Sequence, residues 1–182
     1  VNASDRAIVV RVANWLGDTV MALPALVALR AAEPHARITI IGRWAPLLSG
    51  QAVADIALPY PRRLGERVTV GRALREDPPA LAILLPNSIE SALAAAWWRA
   101  KRRVGFDTDG RRPFLTDAVP LPSPRRHQVD EYGALIEAAG VKIDGDLVPT
   151  WRLPERSAMQ AELDVLLEGA GVPAAARIVG LH

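Results

Sequence analysis

The chain has 182 residues, half of them hydrophobic and 23% charged, with no cysteine and a formal charge of +2. This is enough chain for one full domain and little more, and it excludes a disordered tail, a disulfide scaffold and any thiolate metal site. Twenty of the 22 basic residues are arginine, whose planar fork grips carboxylates and phosphates through paired hydrogen bonds, although a GC-rich genome produces the same bias.

In chain order, residues 8–12 read as a first strand. A helix follows over 19–32, where Pro24 either kinks it or marks its regular start. A second strand covers 37–42, a short helical piece lies near 45–48, and a third strand spans 56–58. Residues 68–76 read as a helix, 81–85 as a fourth strand and 88–100 as a helix. Asn87 with Glu90 resembles a capping box there, and Ser88 competes as the cap. A fifth strand covers 103–106. In the helix over 128–139, Val129, Tyr132, Leu135, Ile136 and Ala139 form one apolar stripe that packs on a core. Several strands are apolar on both faces, as in a parallel sheet covered by helices on each side. The alternation predicts an α/β fold with a Rossmann-like, doubly wound parallel sheet.

Regular elements of that sheet domain end near Gly140, and the domain is assigned to residues 1–148. Residues 141–154 turn irregular and read as a linker. Residues 155–169 form a helix with Met159, Leu163, Leu166 and Leu167 on one face, and 177–181 read as a strand that opens a second domain. A terminal strand lacks edge partners, so 149–182 are read as the start of a truncated domain.

The segment Asn14-Trp15-Leu16-Gly17-Asp18 follows the first strand. A glycine turn there puts a carboxylate at the carboxyl end of the sheet, where open α/β folds bind ligands. Asp18 either takes a proton from a substrate hydroxyl or caps the helix. Gly17 is one glycine where a dinucleotide fingerprint needs three, and no Walker-type loop is present. His35, His127 and His182 lack metal-ligand spacing, and Ser88 and Ser91 lie in no nucleophile elbow. No basic helix interleaved with aromatics points to nucleic acid. There is no charged head followed by an apolar stretch and no apolar run long enough for a bilayer, which predicts a soluble, cytoplasmic protein.

Asn87 and Ser88 follow the fourth strand, Arg62 and Arg63 the third, and Arg111 and Arg112 the fifth. All six are expected along one sheet edge, where the arginines would meet carboxylates or phosphates of a ligand or else remain solvated surface charge. His127 opens a helix as a cap, a packing group or a ligand contact. Trp97 and Trp98 belong either to the core or to a membrane-facing surface.

Four segments carry a resemblance. They are Asn14-Trp15-Leu16-Gly17-Asp18 with Met21-Ala22-Leu23-Pro24-Ala25-Leu26; Leu85-Pro86-Asn87-Ser88 with Ser91-Ala92-Leu93; Arg103-Val104-Gly105-Phe106 with Arg111-Arg112; and His127-Gln128-Val129-Asp130-Glu131-Tyr132. Together they resemble the N-terminal half of the ADP-heptose:lipopolysaccharide heptosyltransferases, two-domain enzymes of GT-B fold, and are most like the type that adds the second heptose. Val179-Gly180-Leu181-His182 is similar to the strand that begins the family's second domain. The resemblance implies an acceptor-binding domain for the lipopolysaccharide core, an ADP-heptose donor held mostly by the other domain, and inverting transfer without a cofactor or bound metal. It makes Asp18 the general base and Asn14, Arg62, Arg63, Asn87, Ser88, Arg111, Arg112 and His127 candidates for acceptor contact. It also implies peripheral contact with the inner membrane and an inactive isolated fragment. Two other readings stand beside it: a non-catalytic module for anionic glycans, and a related transferase using another nucleotide sugar.

Overall fold

The computed structural model describes residues 6–143, 145–152, 156–173 and 176. Six strands form one sheet: β1 (Ala7–Arg11), β2 (Arg37–Ile41), β3 (Ile56–Leu58), β4 (Leu81–Leu84), β5 (Arg102–Phe106) and β6 (Asp117–Val119). Their order is β3-β2-β1-β4-β5-β6, and every pairing is parallel.

Alternation along the strands builds two cores. Ile8, Val10, Ile38, Ile40, Ile83 and Val104 face α2 (Leu23–Ala32) and α5 (Gln128–Ala138). Val9, Ile41, Ala82 and Leu84 face the opposite layer, where α3 (Leu64–Glu76) and α4 (Ile89–Trp97) lie. The helices of the second layer meet through Gly71, where a side chain would run into the Trp97 indole. Trp98 is buried and Trp97 is 36% exposed, so the adjacent tryptophans divide between core and surface.

Chain order reverses across β1. The β1-β2-β3 run steps outward on one side, and β4 returns to the other side of β1. That makes the gap between the carboxyl ends of β1 and β4 the topological switch point, where such sheets open a crevice.

Several local expectations change. The helix expected over 19–32 is two helices, α1 (Leu16–Met21) and α2, meeting at Ala22. Pro24 lies in the first turn of α2, where its missing N–H would have had no helical partner, so it marks a start rather than a kink. The piece near residue 45 is a 3-10 helix, Ala45–Gln51, and α3 begins four residues earlier than expected. β6 and a short 3-10 turn at Arg112–Phe114 were not expected.

Described residues between 141 and 152 have no regular structure, yet they are not a free linker. Val141 is buried, Ile143 packs on the first core, and Leu147 lies against Gly133 of α5. The chain divides into two units after Trp151. In the second, α6 (Arg156–Gly169) is the regular element among the described residues, and its Leu163, Val165 and Leu166 are exposed. The strand expected over 177–181 lies outside the described residues. Among the described residues no helix is long and apolar enough to cross a membrane.

Candidate active site

The loop after β1 leaves the middle of the sheet in a fixed direction. Val12 N–H donates to Ile41 O and Leu85 N–H to Arg11 O, each at 3.0 Å. Thr19 is fully buried, and its hydroxyl reaches Trp15 O at 3.0 Å and Ala13 O at 3.4 Å, which ties the start of α1 back onto the loop. The cap position of α1 is Trp15, with no side-chain cap bond, so Asp18 is the third helical residue and not the cap. Gly17, expected as a turn glycine, sits inside α1 without a left-handed φ, and a side chain there would meet nothing within 4 Å.

Asp18 is half-buried, and among the described residues no hydrogen bond or ion pair engages its carboxylate. Its charge is felt by Tyr132 on α5, a buried residue. Burial first, then Asp18, then Glu131 push the Tyr132 phenol above its ordinary range. The acid is thus partly solvated on the helix that follows β1, with the buried Tyr132 phenol within electrostatic reach.

On the other face of β1 lies a cluster absent from the sequence expectations. Arg11 is 1% exposed although it carries a guanidinium. It donates to Val12 O, to Ile41 O at 3.5 Å and to Asn14 Oδ1 at 2.8 Å. Its guanidinium carbon stands 3.9 Å from the centre of the Tyr60 ring. Tyr60 donates its hydroxyl hydrogen to Glu90, which also pairs with Arg67 at 3.5 Å. Burial, followed by the Glu90 hydrogen bond, pushes the Tyr60 phenol up to about 12. Burial likewise lowers Arg11 from its ordinary value. The available signal was one charged residue inside a strand whose neighbours are apolar on both faces.

Asn87 and Ser88 follow β4 and therefore lie at the same carboxyl edge of the sheet. Ser88 is the cap of α4, its hydroxyl accepting from Ser91 N–H at 3.3 Å, so Ser88 and not Asn87 fills that role. Asn87 accepts from Arg111 at 3.4 Å through its side chain and from Thr108 at 3.0 Å through its carbonyl. Arg111, expected on the rim, is fully buried instead. Its Nε donates to Phe106 O at 2.7 Å, and its Nη1 to Pro86 O and to Ser91 Oγ at 3.2 Å. Burial lowers its pKa to about 10, so it stays charged at neutral pH. With its donors engaged inside the chain, Arg111 fastens the loops after β4 and β5 together.

The other expected residues scatter. Arg112 is exposed and pairs with Asp107 at 2.7 Å. His127 is the exposed cap of α5, accepting from Val129 N–H through Nδ1 at 3.4 Å. Arg62 and Arg63 line an open depression of about 550 Å³ with Arg43, Trp44, Tyr60 and Glu66. Four strand spacings separate β3 from β5, so the two arginine pairs stand roughly 19 Å apart along the edge. They do not form one cluster, since Arg62 and Arg63 line the open depression and Arg111 is buried. Among the described residues no group of three metal-ligating side chains comes together.

The six-stranded, all-parallel, Rossmann-like sheet defines an α/β domain of the kind that makes up half of a GT-B glycosyltransferase. A family model, glycosyltransferase family 9 (heptosyltransferase), matches residues 67–171, more than half of the chain. The chain belongs to that family. It is 34% identical over 143 residues to lipopolysaccharide heptosyltransferase 2 of Salmonella typhimurium, which covers 70% of this chain and 39% of that protein. Among solved structures, the ADP-heptose lipopolysaccharide heptosyltransferase II of E. coli superposes with a TM-score of 0.73 at 26% identity, covering 92% of this chain and 51% of its own. A family 9 glycosyltransferase from Veillonella parvula shares the fold, with a TM-score of 0.72 at 22% identity over 93% of this chain and 51% of its own. The chain therefore spans about two fifths of the curated relative's length and half of the solved ones.

Proposed function

We propose that this chain forms the acceptor-binding half of a heptosyltransferase acting on the lipopolysaccharide inner core. The donor is ADP-heptose, the transfer inverts the anomeric centre without a bound metal, and Asp18 is the general base. The relatives' names support the donor and acceptor classes. The observation that supports the mechanism is the Asp18 carboxylate, half-buried in the first turn of the helix after β1, free of the cap role and without a hydrogen-bonding partner among the described residues.

Glycosyl transfer passes through an oxocarbenium-like state in which a weakly nucleophilic hydroxyl must lose its proton. The chemistry assigned to Asp18 is that proton transfer. One carboxylate oxygen accepts the proton as the hydroxyl oxygen bonds to the anomeric carbon, and the bond from that carbon to the ADP phosphate oxygen breaks on the opposite face. The donor is held by the part of the protein beyond this domain. Asn14, Asn87 and Ser88 border the crevice and are assigned to the acceptor sugar. Arg62, Arg63 and Arg112 are assigned to its anionic groups, and His127 to the outer edge of the acceptor.

In the full-length protein, Asp18→Asn preserves the shape of the side chain and removes its basicity. The expected result is a loss of turnover of about a hundredfold or more with an unchanged thermal midpoint. Transfer from ADP-heptose to a de-acylated inner-core oligosaccharide measures it, and turnover within a few-fold of the parent would remove Asp18 from the mechanism. Chelator treatment of the same protein is expected to leave the rate unchanged.

A further inference from the structure

Arg11 sets a physical problem that the general-base assignment leaves unsolved. A buried charge is costly unless paired, and Arg11 is almost wholly buried without a carboxylate in ion-pair contact among the described residues. Its Nε hydrogen has no hydrogen-bond partner among the described residues. The guanidinium is held by two carbonyls, the face of Tyr60 and the side chain of Asn14. Tyr60 is half-buried and borders the open depression, whereas the 2.8 Å bond to Asn14 leads to the loop that runs on to Asp18, on which Asn14 is exposed.

Arginine carries donors only, so the Asn14 atom facing it must be the oxygen. The amide nitrogen then points the other way, with two N–H donors turned from the core. The Tyr60 ring, held by Glu90, braces the guanidinium from behind. From this geometry we infer that Arg11 is a positioning residue that locks Asn14 with its amide N–H groups presented to an oxygen of the acceptor sugar next to Asp18. The inference rests on the acceptor-binding reading of this crevice and adds the group that orients the acceptor there.

The test uses the full-length protein, ADP-heptose and a de-acylated inner-core oligosaccharide. Asn14→Asp replaces the outward donors with an oxygen while giving Arg11 a carboxylate to pair with. It is expected to keep or raise the thermal midpoint, to raise the acceptor KM about tenfold or more, and to leave the donor KM unchanged. Arg11→Lys cannot both stack on Tyr60 and reach Asn14, so it is expected to raise the acceptor KM as well. In an Asn14→Ala background, Arg11→Lys is expected to add nothing further, because its effect runs through Asn14.

An acceptor KM within twofold of the parent in Asn14→Asp overturns the inference. So does a double variant in which the two effects multiply. Should Asp18→Asn keep normal turnover while Asn14→Asp still raises the acceptor KM, the base assignment falls and the positioning role stands.

Discussion

Arg111 and Arg112 are sequence neighbours with opposite surroundings. One is fully buried against Phe106, Pro86 and Ser91, and the other is exposed beside Asp107. Nothing local distinguishes them, because Arg111 is held by main-chain and side-chain oxygens that only the folded sheet brings together. Arg11 repeats the lesson inside a strand. The position of Asp18 at a strand's carboxyl end was legible, since it follows from the strand-loop-helix order. Its lack of a cap role was not, because Trp15 occupies that place. Glu131 provides a residue-scale test. It is fully buried and accepts from Arg125 at 2.6 and 2.7 Å and from Arg126 N–H at 3.1 Å. The Arg125 hydrogen bonds hold its carboxyl below the ordinary range. A depressed carboxylate contributes stability that is complete above the unfolded value of about 4.3 and disappears as pH falls through the folded value. Glu131→Gln is therefore expected to cost about 1 kcal/mol at neutral pH, a modest figure because Arg125 is half exposed. In denaturant melts from pH 7 to 3, the gap from the parent should be constant down to about pH 5 and then narrow.

At the scale of elements, strands buried on both faces were readable because continuous apolar runs such as Leu81–Leu84 leave few alternatives. β6 escaped because three half-buried residues before Pro120 carry no periodicity to detect. The early start of α3 escaped for another reason. Leu64 is 75% exposed, so no buried stripe announces the first turn. Two glycines in helices predict different tolerances. A side chain at Gly71 would collide with the Trp97 ring across the α3–α4 contact, whereas one at Gly133 would meet the mobile end of Leu147. Gly71→Ala is expected to cost about 1–3 kcal/mol by overpacking. Gly133→Ala should cost less, because Leu147 can change rotamer and alanine favours the helix. Thermal midpoints of the two variants measure the order, and a lower midpoint for Gly133→Ala would reverse it.

Across the whole molecule, the parallel sheet fixes which loops share an edge, and with it the crevice between β1 and β4. The irregular stretch before Trp151 belongs to this domain, since Val141, Ile143 and Leu147 cover the α5 side of the first core. We propose that the sheet domain is an independent folding unit bounded near Trp151. A polypeptide ending at residue 151 is expected to unfold cooperatively. One ending at residue 140 should melt at a clearly lower temperature, because its apolar cover on α5 is gone. Equal midpoints for the two would assign the stretch to a linker after all.

The ties from Arg111 and Thr108 also govern how this wall of the edge can move. Because the turns after β4 and β5 share one guanidinium and the Thr108 bond to Asn87, neither has a degree of freedom of its own. A guest that pushes on the first drags the second along, and the wall answers as a slab instead of two flaps. The width of the opening is then dictated by the gauge of the sheet beneath it.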